Sequence, residues 1–270
     1  MRIVHRVGLR ASPEQLDALA ELSTRETPTP GLPGTVPLLT FDVGEDHPQW
    51  PKLAGLFADW GVSDVVRTEF ARDELLAACW AEIRAMPRGY PQPREDDFGY
   101  LAATYELASR CEACGIGGVQ KAGFQMKAEP KWGRAGALQL TWVEDELFVR
   151  PELWKQVFEP AGVQCRPVLN RRGEELSDVV QLVVETLVPV DVAGHLTERC
   201  ARCERERVSP NGRGRFPRLC EEPEVAMART QQWFGWGAAA WRPLLAHRSI
   251  VRALMETKVH GVLLRPTANE

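Results

Sequence analysis

The chain has 270 residues, of which 44% are hydrophobic and 26% are charged, values typical of a globular protein that can bury a substantial core in one or two domains. Its formal net charge of -4 argues against nucleic acid as the main partner, because such binding depends on lysine and arginine neutralising phosphates. A weakly acidic surface would instead suit a basic protein partner.

No stretch of the sequence has the length of a targeting or membrane-spanning segment. The N-terminal sequence MRIVHRVGLR lacks the apolar run of a secretory signal, and the longest apolar run, 233–241, is too short to cross a bilayer and is broken by glycine. We therefore expect a cytoplasmic protein without a membrane span. Its seven cysteines should then be thiols or metal ligands rather than disulfides.

Residues 1–88 are predicted to form a small N-terminal α/β domain. Ser12 can cap a helix that begins at Pro13, and Gln15 can complete a capping box. A second helix is predicted by apolar residues at helical spacing, namely Leu53, Leu56, Phe57 and Trp60. Strands are predicted over 3–9, 36–43 and 62–70, followed by a short helix over 72–78 and a strand through 83, so that strands and helices alternate.

Residues 89–110 are predicted to be a linker, because the stretch 86–99 is rich in proline and glycine. The acidic cluster Glu95, Asp96 and Asp97 could form half of a cation site or a catalytic site. A solvated loop is the commoner outcome for such a charge run.

Two cysteine pairs carry the strongest signal in the sequence. Cys111-x-x-Cys114 is followed by Gly115, and Cys200-x-x-Cys203 lies far downstream. Seven randomly placed cysteines would give roughly 0.2 such pairs, so two pairs are not expected by chance. Two tight turns that each supply two thiolates are what a tetrahedral structural zinc requires. We predict one structural Zn²⁺ held by these four cysteines.

The residue after each second cysteine should have positive φ, so that backbone N–H groups can point at the thiolates. Gly115 meets this need, and Glu204 occupies the same position in the second turn at some cost in strain. Residues 119–127 are predicted to return as the second arm of a hairpin, and residues 207–219 are predicted to form the hairpin of the other half-site. A phosphate-binding loop at Gly117 and Gly118 is disfavoured, because no helix pattern follows.

Other uses of the cysteines remain open from sequence. A redox pair lacks its usual strand-to-helix setting, whereas an iron–sulfur cluster would use the same four thiolates. Cys220 could replace one ligand, and Cys79 and Cys165 are predicted to be ordinary buried thiols. Four cysteine ligands leave no open position for water, so hydrolytic zinc chemistry is disfavoured and we assign no catalytic residue.

The predicted fold class is α+β, with the N-terminal domain followed by a split zinc-ribbon domain over 111–270. Its half-sites are 111–127 and 198–220, with an insertion of antiparallel strands over 128–197 and a C-terminal unit over 224–270. Trp132, Trp142 and Trp154 of the insertion are predicted to be packing residues. In the C-terminal unit, strands are predicted over 227–234 and 240–246, then a helix capped by Ser249 and a strand over 261–264.

The two motifs, Cys111-Glu-Ala-Cys114-Gly115 and Cys200-Ala-Arg-Cys203, together with the closing sequence RSIVRALMETKVHGVLLRP, resemble the double-CxxCG proteins of myxobacteria. The resemblance covers the metal ligands and, loosely, residues 231–266, but not residues 1–88. Some members of that family are immunity proteins that neutralise a cognate toxin delivered between cells. The resemblance therefore implies a zinc-stabilised binding protein without catalytic residues.

Two functional hypotheses follow. The first is a non-catalytic protein-binding protein, with neutralisation of a bacterial toxin as its candidate role. The alternative is a zinc-ribbon protein that binds nucleic acid through the arginines between Arg199 and Arg218, although glutamates dilute this region and a solvated hairpin is the commoner outcome. An enzyme that uses the N-terminal domain is a weaker third hypothesis, for which no residues can be named.

Overall fold

The computed structural model describes residues 1–22, 27–29, 38–62, 64–89 and 99–268. The chain is an α+β protein built mostly of sheets, with few helices. It divides into two compact units, which we call the N-terminal unit, Met1–Ala71 with Asn211–Arg215, and the C-terminal unit, Arg72–Pro210 with Phe216–Glu270. The predicted acidic cluster Glu95–Asp97 lies outside the described residues.

The N-terminal unit is a four-stranded antiparallel sheet with two helices. Its elements are β1 (Arg2–Arg10), α1 (Pro13–Glu21), β2 (Thr27–Thr29), β3 (Leu38–Gly44), α2 (Trp50–Asp59) and β4 (Asp64–Glu69), and the strand order is β2-β3-β1-β4. The predicted capping box is confirmed, since the Ser12 side chain and the Gln15 side chain each accept from the other residue's backbone N–H. Apolar residues of β1, β3 and both helices form the core.

The segment Asn211–Arg215 belongs to the N-terminal unit because it is bonded to it. Thr68 Oγ1 donates to the Gly212 carbonyl at 2.9 Å and accepts from the Gly214 N–H at 2.8 Å. Arg213 pairs with Glu45 at 2.6 Å. The predicted hairpin over 207–219 is therefore wrong, because its first strand, Glu206–Val208, pairs with strands Thr197–Arg199 and Phe234–Trp236, and the residues at its turn are bound to Thr68 and Glu45.

The C-terminal unit contains the remaining elements. Its helices are α3 (Arg72–Ala77), α4 (Tyr100–Thr104), α5 (Pro151–Leu153) and α6 (Arg248–Glu256), and α5 continues as a π-helical turn (Trp154–Phe158) and a 3-10 turn (Glu159–Ala161). Its strands are β5 (Trp80–Ala85), β6 (Tyr105–Glu106), β7 (Val119–Gln120), β8 (Ala137–Leu138), β9 (Phe148–Val149), β10 (Gln164–Leu169), β11 (Glu175–Val183), β12 (Leu187–Val188), β13 (Thr197–Arg199), β14 (Glu206–Val208), β15 (Met227–Thr230), β16 (Phe234–Trp236), β17 (Ala239–Trp241), β18 (Leu244–His247) and β19 (Val262–Pro266).

Among the described residues, these strands form a five-stranded sheet in the order β12-β15-β18-β5-β19, two four-stranded sheets, β10-β11-β9-β8 and β13-β14-β16-β17, and the pair β6-β7. Strand β5 lies inside the five-stranded sheet, paired with β18 on one side and β19 on the other. The unit boundary therefore falls after Ala71 rather than at the predicted residue 88. The cause is the apolar character of β5, where Ala81, Ile83 and Ala85 are all buried.

Three local predictions in the C-terminal unit need correction. Part of the predicted linker is ordered structure, since α4 and β6 lie within it and Tyr100 is buried. Trp142 is 63% exposed with φ of 71°, so it does not pack in the core as predicted. Helix α6 is capped by His247, whose side chain accepts from the Ser249 N–H, rather than by Ser249. In the described part of the chain, no helix combines the length and apolar character needed to cross a membrane.

Candidate metal centre

The first cysteine turn follows strand β6 and precedes β7, which pairs with it. The Gly115 N–H donates to the Cys111 carbonyl at 2.7 Å, and the Cys111 N–H donates to the Ile116 carbonyl at 2.8 Å. Gly115 has φ of 79°, the left-handed conformation expected from its place after the second cysteine. These two hydrogen bonds close a tight turn, so that the side chains of Cys111 and Cys114 lie near each other.

The second cysteine turn has the same backbone plan between β13 and β14. The Glu204 N–H donates to the Cys200 carbonyl at 2.8 Å, and the Cys200 N–H donates to the Arg205 carbonyl at 3.0 Å. Glu204 has φ of 59°, so the expected strain of a non-glycine residue is present. Arg199 offsets part of it, because its Nε donates to the Glu204 carbonyl at 3.0 Å.

The fold brings the two turns together, as the sequence predicts. The Sγ atoms of Cys111 and Cys200 lie 3.9 Å apart, and those of Cys114 and Cys203 lie 3.6 Å apart. All four Sγ atoms lie within 4.8 Å of one another, and no other such cluster of potential metal ligands occurs among the described residues. A tetrahedron with metal–sulfur bonds of about 2.3 Å has sulfur–sulfur edges of about 3.8 Å, so the cluster fits a single metal ion.

The cluster is enclosed by protein. Cys111 and Cys114 are buried, Cys200 and Cys203 are half-buried, and Ile116, Trp233 and Ala240 pack against them. Burial raises the pKa of the Cys114 thiol to about 12, because the charged form loses solvent. A cation placed between the sulfurs would reverse this effect, since it favours the thiolates.

Arg205 supplies positive charge from the edge of the cluster. Its Nε donates to the Cys203 Sγ at 3.4 Å, and this bond lowers the pKa of the Cys203 thiol to about 6. Its Nη2 donates to the Ser109 carbonyl at 2.8 Å, which links the second turn to the segment that precedes the first. The Cys203 sulfur is therefore ready to serve as a thiolate ligand near neutral pH.

Arg207 ties the first cysteine turn to the β16–β17 hairpin. This side chain is 5% exposed, and its Nη1 donates to the carbonyls of Gly237 at 2.6 Å and of Cys114 and Ala239 at 3.3 Å each. Its Nη2 pairs with Glu198 at 2.7 Å. A buried guanidinium with these partners holds the cysteine turn and the hairpin in fixed relation.

The other cysteines take no part in the cluster. Cys220 is exposed, so it does not replace a ligand. Cys79 is also exposed and Cys165 is half-buried, which contradicts the prediction that both are buried thiols. Cys165 lies in strand β10, whereas Cys79 lies just before strand β5 and outside it. Sequence reasoning also missed the separate roles of Arg205 and Arg207, for which spacing alone gives no signal.

Most of the arginines between Arg199 and Arg218 are paired with acidic residues of the same chain. Five of them pair with carboxylates, as Arg199–Glu204, Arg202–Glu112, Arg207–Glu198, Arg213–Glu45 and Arg218–Asp191. Each carboxylate neutralises the charge of an arginine that would otherwise be available to bind a phosphate.

Comparison of the chain with protein-family models, with curated proteins and with solved structures finds no match. The assignment of a function therefore depends on the residues and their geometry.

Proposed function

We propose that the four-cysteine cluster binds one structural Zn²⁺ and that the protein is a non-catalytic, protein-binding protein. The observation that carries the proposal is the closed ligand set. Four thiols within 4.8 Å would fill a tetrahedral zinc and leave no position for water or substrate. An iron–sulfur cluster would use the same thiolates but needs room for several inorganic ions, whereas sulfur–sulfur distances of 3.6 and 3.9 Å match one ion.

The paired turns support a split zinc ribbon as the finer description of this region. Each turn lies between two short antiparallel strands, β6 with β7 and β13 with β14, and each repeats the same two backbone hydrogen bonds. Two polar groups beside the sulfurs, Arg205 and Arg207, are used for internal hydrogen bonds. Among the described residues, no other Cys, His, Asp or Glu belongs to the cluster.

The partner we propose is a protein, and a bacterial toxin is the candidate that the resemblance to the double-CxxCG proteins suggests. The net charge of -4 favours a basic partner. Internal pairing of the arginines in the region 199–218 argues against the nucleic-acid alternative.

The proposal is tested by expressing the chain in a bacterium together with the product of the gene beside its own. We expect the chain to restore growth when that product is toxic, and the purified proteins to form a stable complex. Cys200→Ser should abolish protection, whereas Cys220→Ser, which removes an exposed thiol outside the cluster, should not. A chain that binds mixed DNA tightly and with a steep salt dependence, and gives no protection, would refute the proposal.

A further inference from the structure

A cavity of about 590 Å³ lies in the C-terminal unit, with Gly115 of the first cysteine turn in its wall. This volume is within the roughly 300–1,000 Å³ of typical ligand sites. Six aromatic side chains line it, namely Tyr100, Tyr105, Trp142, Trp233, Trp236 and Trp241. The faces of such rings attract cations through their quadrupole.

Two of these rings are largely exposed to solvent. Trp142 and Trp236 are 63% and 59% exposed, although large aromatics usually contribute to cores. Trp142 also holds φ of 71°, a conformation that bulky residues rarely adopt. The Tyr100 hydroxyl donates to the Trp142 carbonyl at 3.3 Å, which helps to hold the backbone there. Strain combined with exposure at a cavity is characteristic of a binding position.

Two carboxylates lie beside the aromatic residues that line the cavity. Glu144 and Asp145 line the cavity, against one lining cation, Arg110. Glu144 is bonded to Arg84 at 2.8 Å, but Asp145 lies 3.8 Å from the Arg229 Nη1, because Glu146 takes the Arg229 Nη2 at 3.0 Å. A separation of 3.8 Å is longer than a hydrogen bond, so the Asp145 carboxyl keeps capacity for another donor.

The titration of Asp145 is consistent with this incomplete pairing. Burial, followed by repulsion from Glu146, raises the pKa of Asp145 to about 7, despite the opposing effect of Arg229. The other ionisable groups that interact with Asp145 are Glu144, Tyr100, Tyr105 and Arg242. A cation entering the cavity would favour the ionised form of Asp145.

The cavity wall already contains one contact of the kind inferred. The Arg242 guanidinium carbon lies 4.4 Å from the centroid of the Trp233 ring. This pair shows that the local packing accommodates a planar cation against an indole face.

We propose that this cavity binds an arginine or lysine side chain of a polypeptide partner. The aromatic faces would cover its apolar stem, and Asp145 with Glu144 would receive its charge. A polypeptide source agrees with the net charge of -4, which favours a basic protein partner. In this respect the inference rests on the proposed protein-binding function.

The test uses the zinc-loaded full chain and isothermal titration calorimetry at pH 8. The first probe is the peptide acetyl-Gly-Gly-Arg-Gly-Gly-amide, and the second is the same peptide with citrulline, a neutral isostere of arginine. The third is agmatine, a free small molecule that carries a guanidinium group. We expect the arginine peptide to bind at least about tenfold more tightly than the citrulline peptide. Agmatine should bind no more tightly than the arginine peptide.

Two variants separate the cavity from general effects on folding. Trp142→Gly removes the exposed ring and relieves its positive φ, and Asp145→Asn removes charge without changing shape. Each should weaken arginine-peptide binding about tenfold, whereas Glu185→Gln, at a side chain that is 82% exposed outside the cavity, should leave it unchanged. Thermal unfolding of each variant checks that the fold is retained.

Equal affinity for the arginine and citrulline peptides, or unchanged binding in both cavity variants, would overturn the inference. Tighter binding of agmatine than of the arginine peptide would overturn the assignment to a polypeptide. These results would leave the growth-protection test of the proposed function unaffected, because that test uses the whole partner. Conversely, arginine selectivity without growth protection would refute the toxin-neutralising role alone.

Discussion

Replacing Gly115 by alanine should destabilise the protein much more than the same change at Gly162. The two glycines have nearly identical φ values, 79° and 78°, and both lie in the C-terminal unit. They differ in the space around a new Cβ. At Gly162 nothing lies within 4 Å, whereas at Gly115 the Cβ would lie 2.6 Å from the Ala238 carbonyl oxygen and 2.8 Å from the Ala240 nitrogen. Gly162→Ala therefore measures the conformational cost alone.

The magnitude follows from these two contributions. Alanine at positive φ costs about 1–2 kcal/mol of unfolding free energy, and this applies to both variants. The steric clash of the new Cβ with the backbone of Ala238 and Ala240 adds about 1–3 kcal/mol to the loss of unfolding free energy, and it occurs at Gly115 only. We expect the unfolding free energies of the two variants to differ by about 2 kcal/mol, a large share of a typical total of about 5–15 kcal/mol. The displaced hairpin also carries carbonyl acceptors of Arg207, so zinc affinity should fall with stability.

The assay is urea unfolding of both variants with zinc in excess, combined with competition for zinc by a chromophoric chelator. Gly115→Ala should lose stability and bind zinc at least about tenfold more weakly, while Gly162→Ala keeps the affinity of the unchanged protein. Equal losses of stability, within about 0.5 kcal/mol, would show that the cysteine turn does not pack against the hairpin as described.

Three further predictions test the metal centre and its surroundings. Elemental analysis should find about one zinc per chain, and Cys200→Ser should lose both the metal and cooperative unfolding, whereas Cys220→Ser keeps both. Asp145→Asn should stabilise the protein progressively more as the pH rises from 5 to 8. The reason is that a carboxyl whose pKa is raised to about 7 in the folded state favours folding below its unfolded pKa and loses that contribution as pH rises through 7; unfolding free energies at the two pH values check this, and a constant difference would contradict it. Arg207→Lys should cost about 2 kcal/mol or more in urea unfolding, because lysine cannot reach the same acceptors, whereas Arg218→Lys at an exposed ion pair should cost less than about 1 kcal/mol.

The features that the sequence predicts well are those decided by neighbouring residues. The capping box of α1 depends on residues three positions apart, and the positive φ of Gly115 and Glu204 depends on the cysteine turn itself. The joining of the two cysteine pairs is a long-range event, yet it is predictable because one ion requires four ligands. The fixed number of ligands around a metal ion therefore predicts a tertiary contact that the spacing of apolar residues does not predict.

The features that the sequence does not predict are those that depend on which distant segment packs against a strand or a side chain. Strand β5 was assigned to the N-terminal domain from its place in the alternating pattern, but its neighbours are β18 and β19, more than 150 residues downstream. The charge of Arg207 predicts a place on a solvated hairpin, but its side chain is buried, and carbonyls from a separate hairpin accept its hydrogen bonds. Neither outcome can be derived from local propensity, since both depend on partners that the pattern does not identify.

A zinc ion bound by the four cysteines would be the dominant connection between the two cysteine turns. Three direct contacts also join the segments, namely the Arg202–Glu112 pair at 2.9 Å, the Arg205 donation to the Ser109 carbonyl at 2.8 Å and the Arg207 donation to the Cys114 carbonyl at 3.3 Å. The first is exposed on both sides, so it contributes about 0–1 kcal/mol, and each of the others contributes about 1–3 kcal/mol. A four-thiolate zinc contributes about 10–16 kcal/mol in small zinc-binding domains near neutral pH. The entropic cost of bringing together turns separated by an insertion of this length would therefore be offset mainly by the zinc. Chelation of the zinc should therefore separate the turns and disturb the cavity, because Gly115 of the first turn is part of its wall. Binding of the arginine peptide in the cavity should then depend on zinc, although no zinc ligand lines the cavity.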